Sequence, residues 1–134
     1  MADLTLINES GAIDISLPTQ SDLSALQYYY VKLNTSELVV ACGLNEKPLG
    51  ILQDAPSGTS SAPKTATVRI GGMSKLVIAE TVAAGNFLTS TAASKGEVAD
   101  AAGEEYGARA LSSGEASDTI AVIICFGEVE ATDA

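Results

Sequence analysis

Ser61 and Lys64 are the pair whose types and spacing most closely match a known catalytic pattern, the S-x-x-K of serine acyl enzymes. That pattern requires the start of a helix to direct both side chains into one cleft. Pro63 lies between them, in the segment 54–64, which is rich in Gly, Ser and Pro and does not sustain a helix. The sequence therefore predicts a mobile surface loop here.

The chain lacks histidine, so Ser-His and Cys-His enzymes are excluded and the commonest zinc ligand is missing. Two carboxylate pairs remain, Glu104 with Glu105 and Glu128 with Glu130. Paired acids act in acid-base catalysis when burial separates their pKa values, but both pairs lie in hydrophilic stretches. Neither has the spacing of a calcium loop. We interpret them as a solvated acidic face and predict no enzyme activity, no catalytic residue, no metal site and no cofactor.

Lys75 lies shortly after a pair of glycines, Gly71 and Gly72, as a modified lysine does in some carrier domains. Biotinyl and lipoyl carriers place the lysine at the tip of a tight turn, directly beside Met or Asp. Here Ser74 separates Met73 from Lys75, so the spacing differs. We predict that the glycines form a tight hairpin turn and that Lys75 is an exposed lysine of that hairpin.

The net charge is −10, which repels phosphate backbones and anionic lipid. Residues 97–134 contain nine of the seventeen acids, and this density predicts a solvent-facing end. No apolar run approaches a membrane span, and the first ten residues do not resemble a signal peptide. We expect neither nucleic acid nor membrane as a partner, and we expect synthesis in the cytoplasm.

Two cysteines, Cys42 and Cys125, each lie in an apolar, strand-like run. A free thiol in such a run packs as a small hydrophobic group. Core packing is therefore favoured over a disulfide or a redox pair.

The first 27 residues differ from the rest of the chain and predict an extended arm. Apolar residues alternate with polar ones there, which places five of them on the face of an extended segment: Leu4, Leu6, Ile13, Ile15 and Leu17. A short helical turn is expected near Ser21 or Asp22, before the first strand of the body.

Residues 28–127 predict a β-rich body with little helix, followed by an acidic tail at residues 128–134. Short strand-like runs alternate with turn signals, which indicates a small β-barrel or β-sandwich. The nine runs are QYYYVKLN, ELVVACG, PLGILQD, TATVRIG, SKLVIAE, NFLTST, GEVADA, YGARALS and TIAVIICF.

A weak internal repeat emerges when residues 30–58 are aligned with residues 87–114. Both stretches contain a strand, a short turn, a Glu followed by an apolar run, a strand entered through Gly50 or Gly107, and a Ser-Gly loop. The spacing drifts between these landmarks, so duplication and coincidence both stay open. Duplication would give two similar halves that close one barrel.

Residues 28–125 resemble the small capsid cement, or head decoration, proteins of tailed bacteriophages. The resemblance rests on YVKLNTSELVVACGLNEKPLGILQD, VRIGGMSKLVIAETVAAGNFLTS, the YGARAL strand and TIAVIIC. The family commonly has Ala-Ala-Gly-Asp before its middle strand, where this chain has Asn86. The resemblance implies a non-enzymatic homotrimer that binds the major capsid protein on the outer surface of a phage head.

On this basis the arm and the first strand are candidate contact surfaces, to a sister subunit or to the capsid. The candidate residues are Leu4, Leu6, Ile13, Ile15, Leu17, Tyr28 and Tyr30. Two alternatives stay open: the arm folds back on its own barrel, or the protein is a soluble β-barrel that binds a small ligand. The second would need a lined pocket, for which the few aromatic residues offer little.

Overall fold

A computed structural model describes residues 11–59 and 61–130, which form ten β-strands and no helix. The strands are β1 (Ile13–Pro18), β2 (Tyr30–Leu33), β3 (Val39–Ala41), β4 (Gly50–Leu52), β5 (Thr65–Gly71), β6 (Met73–Val77), β7 (Phe87–Ser90), β8 (Gly96–Val98), β9 (Glu105–Ala110) and β10 (Thr119–Glu128). Each of the nine predicted runs overlaps one strand, so the mainly β prediction is confirmed. Among the described residues, no helix of a length and hydrophobicity suited to crossing a bilayer is found.

The strands form two antiparallel five-stranded sheets, arranged as a β-sandwich rather than a closed barrel. The first sheet has the order β1-β5-β4-β2-β3 and the second has the order β6-β10-β9-β7-β8. Adding five to each strand number of the first sheet gives the strand order of the second sheet. The repeat is therefore present in the strand order, with a first half at residues 13–71 and a second half at residues 73–128. Each half forms its own sheet, so the halves do not close one barrel together.

The two hairpins at the start of the aligned stretches repeat the same hydrogen bonds. In the β2–β3 hairpin the Asn34 amide donates to the Leu38 carbonyl at 2.9 Å, and in the β7–β8 hairpin the Thr91 amide donates to the Lys95 carbonyl at 2.8 Å. The Asn34 and Thr91 side-chain oxygens each accept the returning amide, at 3.0 and 3.1 Å. Asn and Thr thus fix equivalent turns by equivalent bonds.

A second repeated feature lies just before β2 and β7. The Tyr28 amide donates to the Leu52 carbonyl at 2.7 Å, and the Gly85 amide donates to the Ala110 carbonyl at 2.8 Å. Both residues have positive φ, +68° at Tyr28 and +96° at Gly85. Glycine adopts this conformation readily and tyrosine does not, so the first half holds a strained residue where the second half has glycine.

Each sheet curls over its own core until its edge strands meet at one end. A single parallel bridge joins Thr19, just after β1, to Val39 of β3, and the equivalent bridge joins Ile78 to Gly96. The core of the first half consists of buried residues from its inner face: Leu23, Val31, Val39, Leu52, Ala66 and Val68. Buried residues of the second half form most of the other core: Leu76, Ile78, Val82, Leu88, Ala108, Ala110, Ile120, Val122 and Ile124.

Gly71 and Gly72 do not form the predicted hairpin, because β5 and β6 belong to different sheets. Gly72, at φ +84°, carries the chain from one sheet to the other. A Cβ at Gly72 would lie 2.9 Å from the Cα of Ala12, so this crossing also requires a residue that has no side chain. Lys75 consequently lies within strand β6 rather than at a hairpin tip.

The segment between β1 and β2 contains turns rather than the predicted helical turn. The Asp22 carboxylate accepts the Ser24 amide at 2.9 Å there, as an Asx turn does. On either side of this segment, β1 is an edge strand of the chain's own first sheet, paired along its length with β5. At the other end of the chain, Glu128 is the last residue of β10.

Candidate interaction surfaces

The two halves meet where the outer face of the first sheet covers the core of the second half. Tyr30 is fully buried at this junction, and its phenolic oxygen donates to the Leu88 carbonyl at 2.8 Å. The Tyr30 amide donates to the Ser94 carbonyl, also at 2.8 Å. Burial raises the pKa of Tyr30 well above its ordinary value, so the phenol stays protonated and acts as a donor.

Gly107 allows the first half to approach this closely. A Cβ at Gly107 would lie 2.5 Å from Cγ of Pro48 and 3.0 Å from Cε1 of Tyr30. Nearby, the Ser94 hydroxyl donates to the Cys42 carbonyl at 2.6 Å. The junction is therefore tightly packed and satisfied in its hydrogen bonds, as a core is.

Tyr28 borders the same junction, and it is half-buried. Its carbonyl accepts the Val77 amide at 2.9 Å, and its ring lies 5.3 Å from Nζ of Lys75. That ammonium-over-ring distance is in the range of a cation-π contact. Lys75 and Tyr28 thus hold the two halves together.

The candidate contact residues predicted from the sequence do not lie on one surface. Leu4 and Leu6 fall outside the described residues. Ile13 is exposed on β1 opposite Gly71, whereas Ile15 and Leu17 are half-buried against the core of the first half.

Of the two candidate tyrosines, Tyr30 is core and Tyr28 is half-buried. Of the candidates in the described residues, Ile13 is thus exposed, whereas Ile15, Leu17 and Tyr28 are each only partly accessible. Contact of the arm with a sister subunit or a capsid stays a prediction.

A different apolar surface, which the sequence reasoning did not identify, covers the outside of the second sheet. Strand register places Met73 of β6, Ile123 of β10, Arg109 of β9 and Phe87 of β7 in one row across that sheet. Ile123 is 40% exposed and Phe87 is 38% exposed. Leu111, which directly follows β9, is 44% exposed. We call these five residues the second-sheet outer face.

Aromatic and cationic groups order part of this face. The Arg109 guanidinium lies 5.5 Å from the centre of the Phe87 ring, and the Tyr106 ring lies 4.6 Å from the same ring. Arg109 also donates from Nε to the Gly85 carbonyl at 3.3 Å. An exposed apolar patch with fixed aromatic and Arg groups is typical of a protein contact surface.

The sequence did carry one signal for this face. The alignment of the repeat places Phe87 opposite Tyr30, which is the residue that seals the junction. The exposure of Ile123 could not be predicted, because this residue lies in the continuous apolar run TIAVIICF. Such a run does not distinguish the inner face of a strand from the outer face.

Acidic residues lie together beside the β8 edge of the second sheet. Burial raises the pKa of Glu97, and the nearby carboxylates Glu80, Glu104 and Asp100 raise it further. Glu80 accepts the Val98 amide at 3.0 Å, and Glu104 accepts the Asp100 amide at 3.0 Å. Within residues 11–59 and 61–130, no group of three or more His, Cys, Asp or Glu is placed to hold a metal ion.

The cysteines and the S-x-x-K pair also have defined positions. Cys42 is buried in the second core and Cys125 is half-buried on β10, and neither forms a disulfide. Burial raises the pKa of both thiols, which keeps them protonated. Ser61 and Lys64 are exposed in the loop before β5.

One surface pocket, of about 470 Å³, lies beside the bridge between Val82 and Gly114. The other residues that line it are Thr81, Ser113, Glu115 and Asp118. Only one of these side chains is apolar, whereas pockets that bind small molecules are mostly lined by apolar and aromatic groups.

No protein-family model matches this sequence, and no curated protein matches it either. Among solved structures, the fold is similar to the N base of the head fibre protein gp8.5 of bacteriophage phi29, with a TM-score of 0.69. The similarity covers 89% of this chain and 100% of that chain, at 9% sequence identity. At this identity the similarity shows the fold alone.

Proposed function

We propose that this protein is a non-enzymatic structural protein of a phage virion, which binds the outer surface of the head as a homotrimer. There it stabilises the shell by bridging neighbouring subunits of the major capsid protein. The observation that carries the proposal is the fold similarity to the base of a phage head fibre, which extends over the whole of that chain. The sequence resemblance to capsid cement proteins supports the same role.

The mechanism follows from binding linkage. A protein that binds the assembled shell, but not separated capsid subunits, adds its binding free energy to the stability of the shell. A trimer presents three identical contacts at once, so modest individual contacts give strong overall attachment. Neither effect requires a reactive side chain.

The charge of the chain suits an outer position. The net charge of −10 disfavours contact with packaged DNA. The carboxylates Glu80, Glu97, Asp100 and Glu104 lie beside one sheet edge, where exposure to solvent costs less than burial. Charge on an edge strand also discourages edge-to-edge aggregation of free protein.

Capsid attachment is assigned to the arm. Leu4 and Leu6 would contact the major capsid protein, together with the exposed Ile13 at the start of β1. Ile15 and Leu17 serve the chain's own core, so the contact surface of the arm lies before them.

The test is co-sedimentation of the purified protein with cognate phage heads that have been emptied of DNA and stripped of small proteins. We expect saturable binding, a copy number divisible by three, and a higher temperature of head disruption. Heads of an unrelated phage serve as the control. Absence of binding to cognate heads would contradict the proposal, and a monomer that retains a small molecule would instead favour the ligand-binding alternative.

A further inference from the structure

We infer that the second-sheet outer face docks onto the first half of a second copy of this chain, in a head-to-tail arrangement. The inference names the surface for the self-association that the proposed function includes. It rests on the internal repeat, and head binding is measured separately.

The two outer faces are equivalent strand by strand. In the first sheet, register places Asp14, Arg69, Ile51 and Tyr30 in one row across β1, β5, β4 and β2. The row Met73, Ile123, Arg109 and Phe87 occupies the same places across β6, β10, β9 and β7. The Cys42 amide donates to the Tyr30 carbonyl, and the Ala99 amide donates to the Phe87 carbonyl, which confirms the match.

The two rows differ in what covers them. Tyr30 and Ile51 of the first row are fully buried, because they close the core of the second half. Phe87 and Ile123 of the second row are exposed, although they are large and apolar. The outer face of the first sheet is thus covered by the second half of the same chain. The equivalent face of the second sheet has no such partner among the described residues.

The surface of the second half that contacts Tyr30, which we call the receiving surface, also has an equivalent in the first half. In the second half, the carbonyls of Leu88 and Ser94 accept hydrogen bonds from Tyr30. The hydroxyls of Ser90 and Ser94 donate to the carbonyl of Cys42. The equivalents of Ser90 and Ser94 in the first half are Leu33 and Glu37, at the same places in the hairpin.

Leu33 is 42% exposed, whereas Ser90 is fully buried. An apolar side chain therefore takes the place of a small polar one, at a position that no other half covers within residues 11–59 and 61–130. At the margin of the first core, Ile15, Leu49 and Ile70 are also only partly buried. The first half thus has an open apolar surface where the second half has a covered one.

The two free surfaces match in chemistry. Each carries exposed aliphatic side chains, Ile123 and Leu111 on one side and Leu33 on the other. The docking face carries the cation Arg109, and the receiving surface carries the exposed carboxylate of Glu37. Opposite charges beside apolar contacts favour one orientation of the two copies.

Such an interface joins two different surfaces of identical chains. An arrangement of this type closes into a ring when its rotation allows, and otherwise it extends into a fibre. In either assembly each chain would repeat, with its neighbour, the junction that it already contains.

The first test is sedimentation analysis of the full chain over a range of concentrations. It is done at or above physiological ionic strength, which screens the repulsion between copies of charge −10. We expect Ile123→Glu to raise the dissociation constant of self-association about tenfold or more, because a carboxylate would lose water in the interface. Leu111→Glu is the second variant. Leu44→Glu, which adds the same charge at an exposed apolar residue outside both surfaces, is the matched control.

The Ile123→Glu variant is expected to fold, since its carboxylate lies opposite Arg109 on the neighbouring strand. Circular dichroism and the melting temperature of each variant check this. If wild type is monomeric throughout, or if Ile123→Glu and Leu111→Glu associate as tightly as Leu44→Glu, the inference is wrong.

The second test mixes two variants, each with one surface removed. Ile123→Glu keeps the receiving surface, and Leu33→Glu keeps the docking face, so neither should associate alone. A mixture should form a one-to-one pair and nothing larger. No pair in the mixture would overturn the head-to-tail arrangement, whereas failure to bind phage heads would affect only the proposed function.

Discussion

The phenolic oxygen of Tyr30 donates a hydrogen bond of 2.8 Å to the main-chain carbonyl of Leu88, and this bond joins the two halves of the repeat. Tyr30 belongs to the outer face of the first sheet, and Leu88 belongs to the core of the second half. The first half therefore completes the core of the second half. The equivalent of Tyr30 in the second half is Phe87, which has no hydroxyl and is exposed.

The first prediction concerns this bond. Tyr30→Phe should lower the free energy of unfolding by about 0.5–1.5 kcal/mol, because it removes one buried hydrogen bond and keeps the ring. Tyr30→Ala should cost about 3–5 kcal/mol, because it also leaves a cavity. Chemical denaturation followed by circular dichroism measures both.

Phe87→Tyr is the matched control for that series. It adds a hydroxyl at the equivalent, exposed place, so its effect on unfolding should be close to zero. A loss in Tyr30→Phe no larger than the change in Phe87→Tyr would show that the bond to Leu88 does not stabilise the junction.

The second prediction uses the strained backbone at Tyr28. Tyr28→Gly and Tyr28→Ala both remove the ring that contacts Lys75, but only glycine accepts φ +68° without strain. We expect Tyr28→Gly to be the more stable of the two by roughly 1 kcal/mol. Thermal melting compares them directly. Equal stability would mean that the backbone relaxes at this position.

Much of the fold could be predicted from the sequence, because short apolar runs bounded by turn residues define strands locally. The hairpin at Asn34 and the loop that contains Ser61 are examples, since each depends on a few neighbouring residues. The alignment of Tyr30 with Phe87 also came from the sequence, and with it the repeat.

What could not be predicted depends on which strands pair across the chain. Gly71 and Gly72 have the composition of a hairpin turn, but β5 pairs with β1 and β4, while β6 pairs with β10. A pair of glycines permits a hairpin and a crossing between sheets equally well.

The second-sheet outer face was missed for a related reason. Its residues Ile123 and Phe87 are as apolar as their buried equivalents, so hydrophobicity does not separate them from the core. Only the register, together with the accessibility of the second sheet in the described part of the chain, shows that they are exposed.

The third prediction concerns pH and Glu97. Its pKa is raised in the folded protein by partial burial and by Glu80, Glu104 and Asp100, so the folded state binds this proton more tightly than the unfolded state. Stability should therefore fall as the pH rises from the ordinary pKa of a glutamate through the raised value, and stay lowered above it.

Glu97→Gln removes that cost. At neutral pH it should raise the melting temperature slightly, by roughly 1–2 °C, since the group is mostly accessible to solvent. Below the ordinary pKa of a glutamate the difference from wild type should vanish. Glu115→Gln, a change of the same charge in the β9–β10 loop, is the control. An equal gain in both variants would indicate a general effect of net charge rather than the cluster at β8.

The fourth prediction separates the two parts of the arm. Deletion of residues 2–10 removes Leu4 and Leu6 and leaves β1 intact. If these residues contact the capsid, the deletion should abolish or strongly weaken co-sedimentation with heads while the melting temperature stays unchanged. Deletion of residues 2–17 also removes Ile15 and Leu17 from the first core and leaves an edge of β5 unpaired. That loss of burial should cost about 2–4 kcal/mol of unfolding free energy. The short deletion is thus the informative one, because loss of head binding by the long deletion would not separate a lost contact from lost stability. Undiminished binding by the 2–10 deletion would assign capsid contact to the β-sandwich itself.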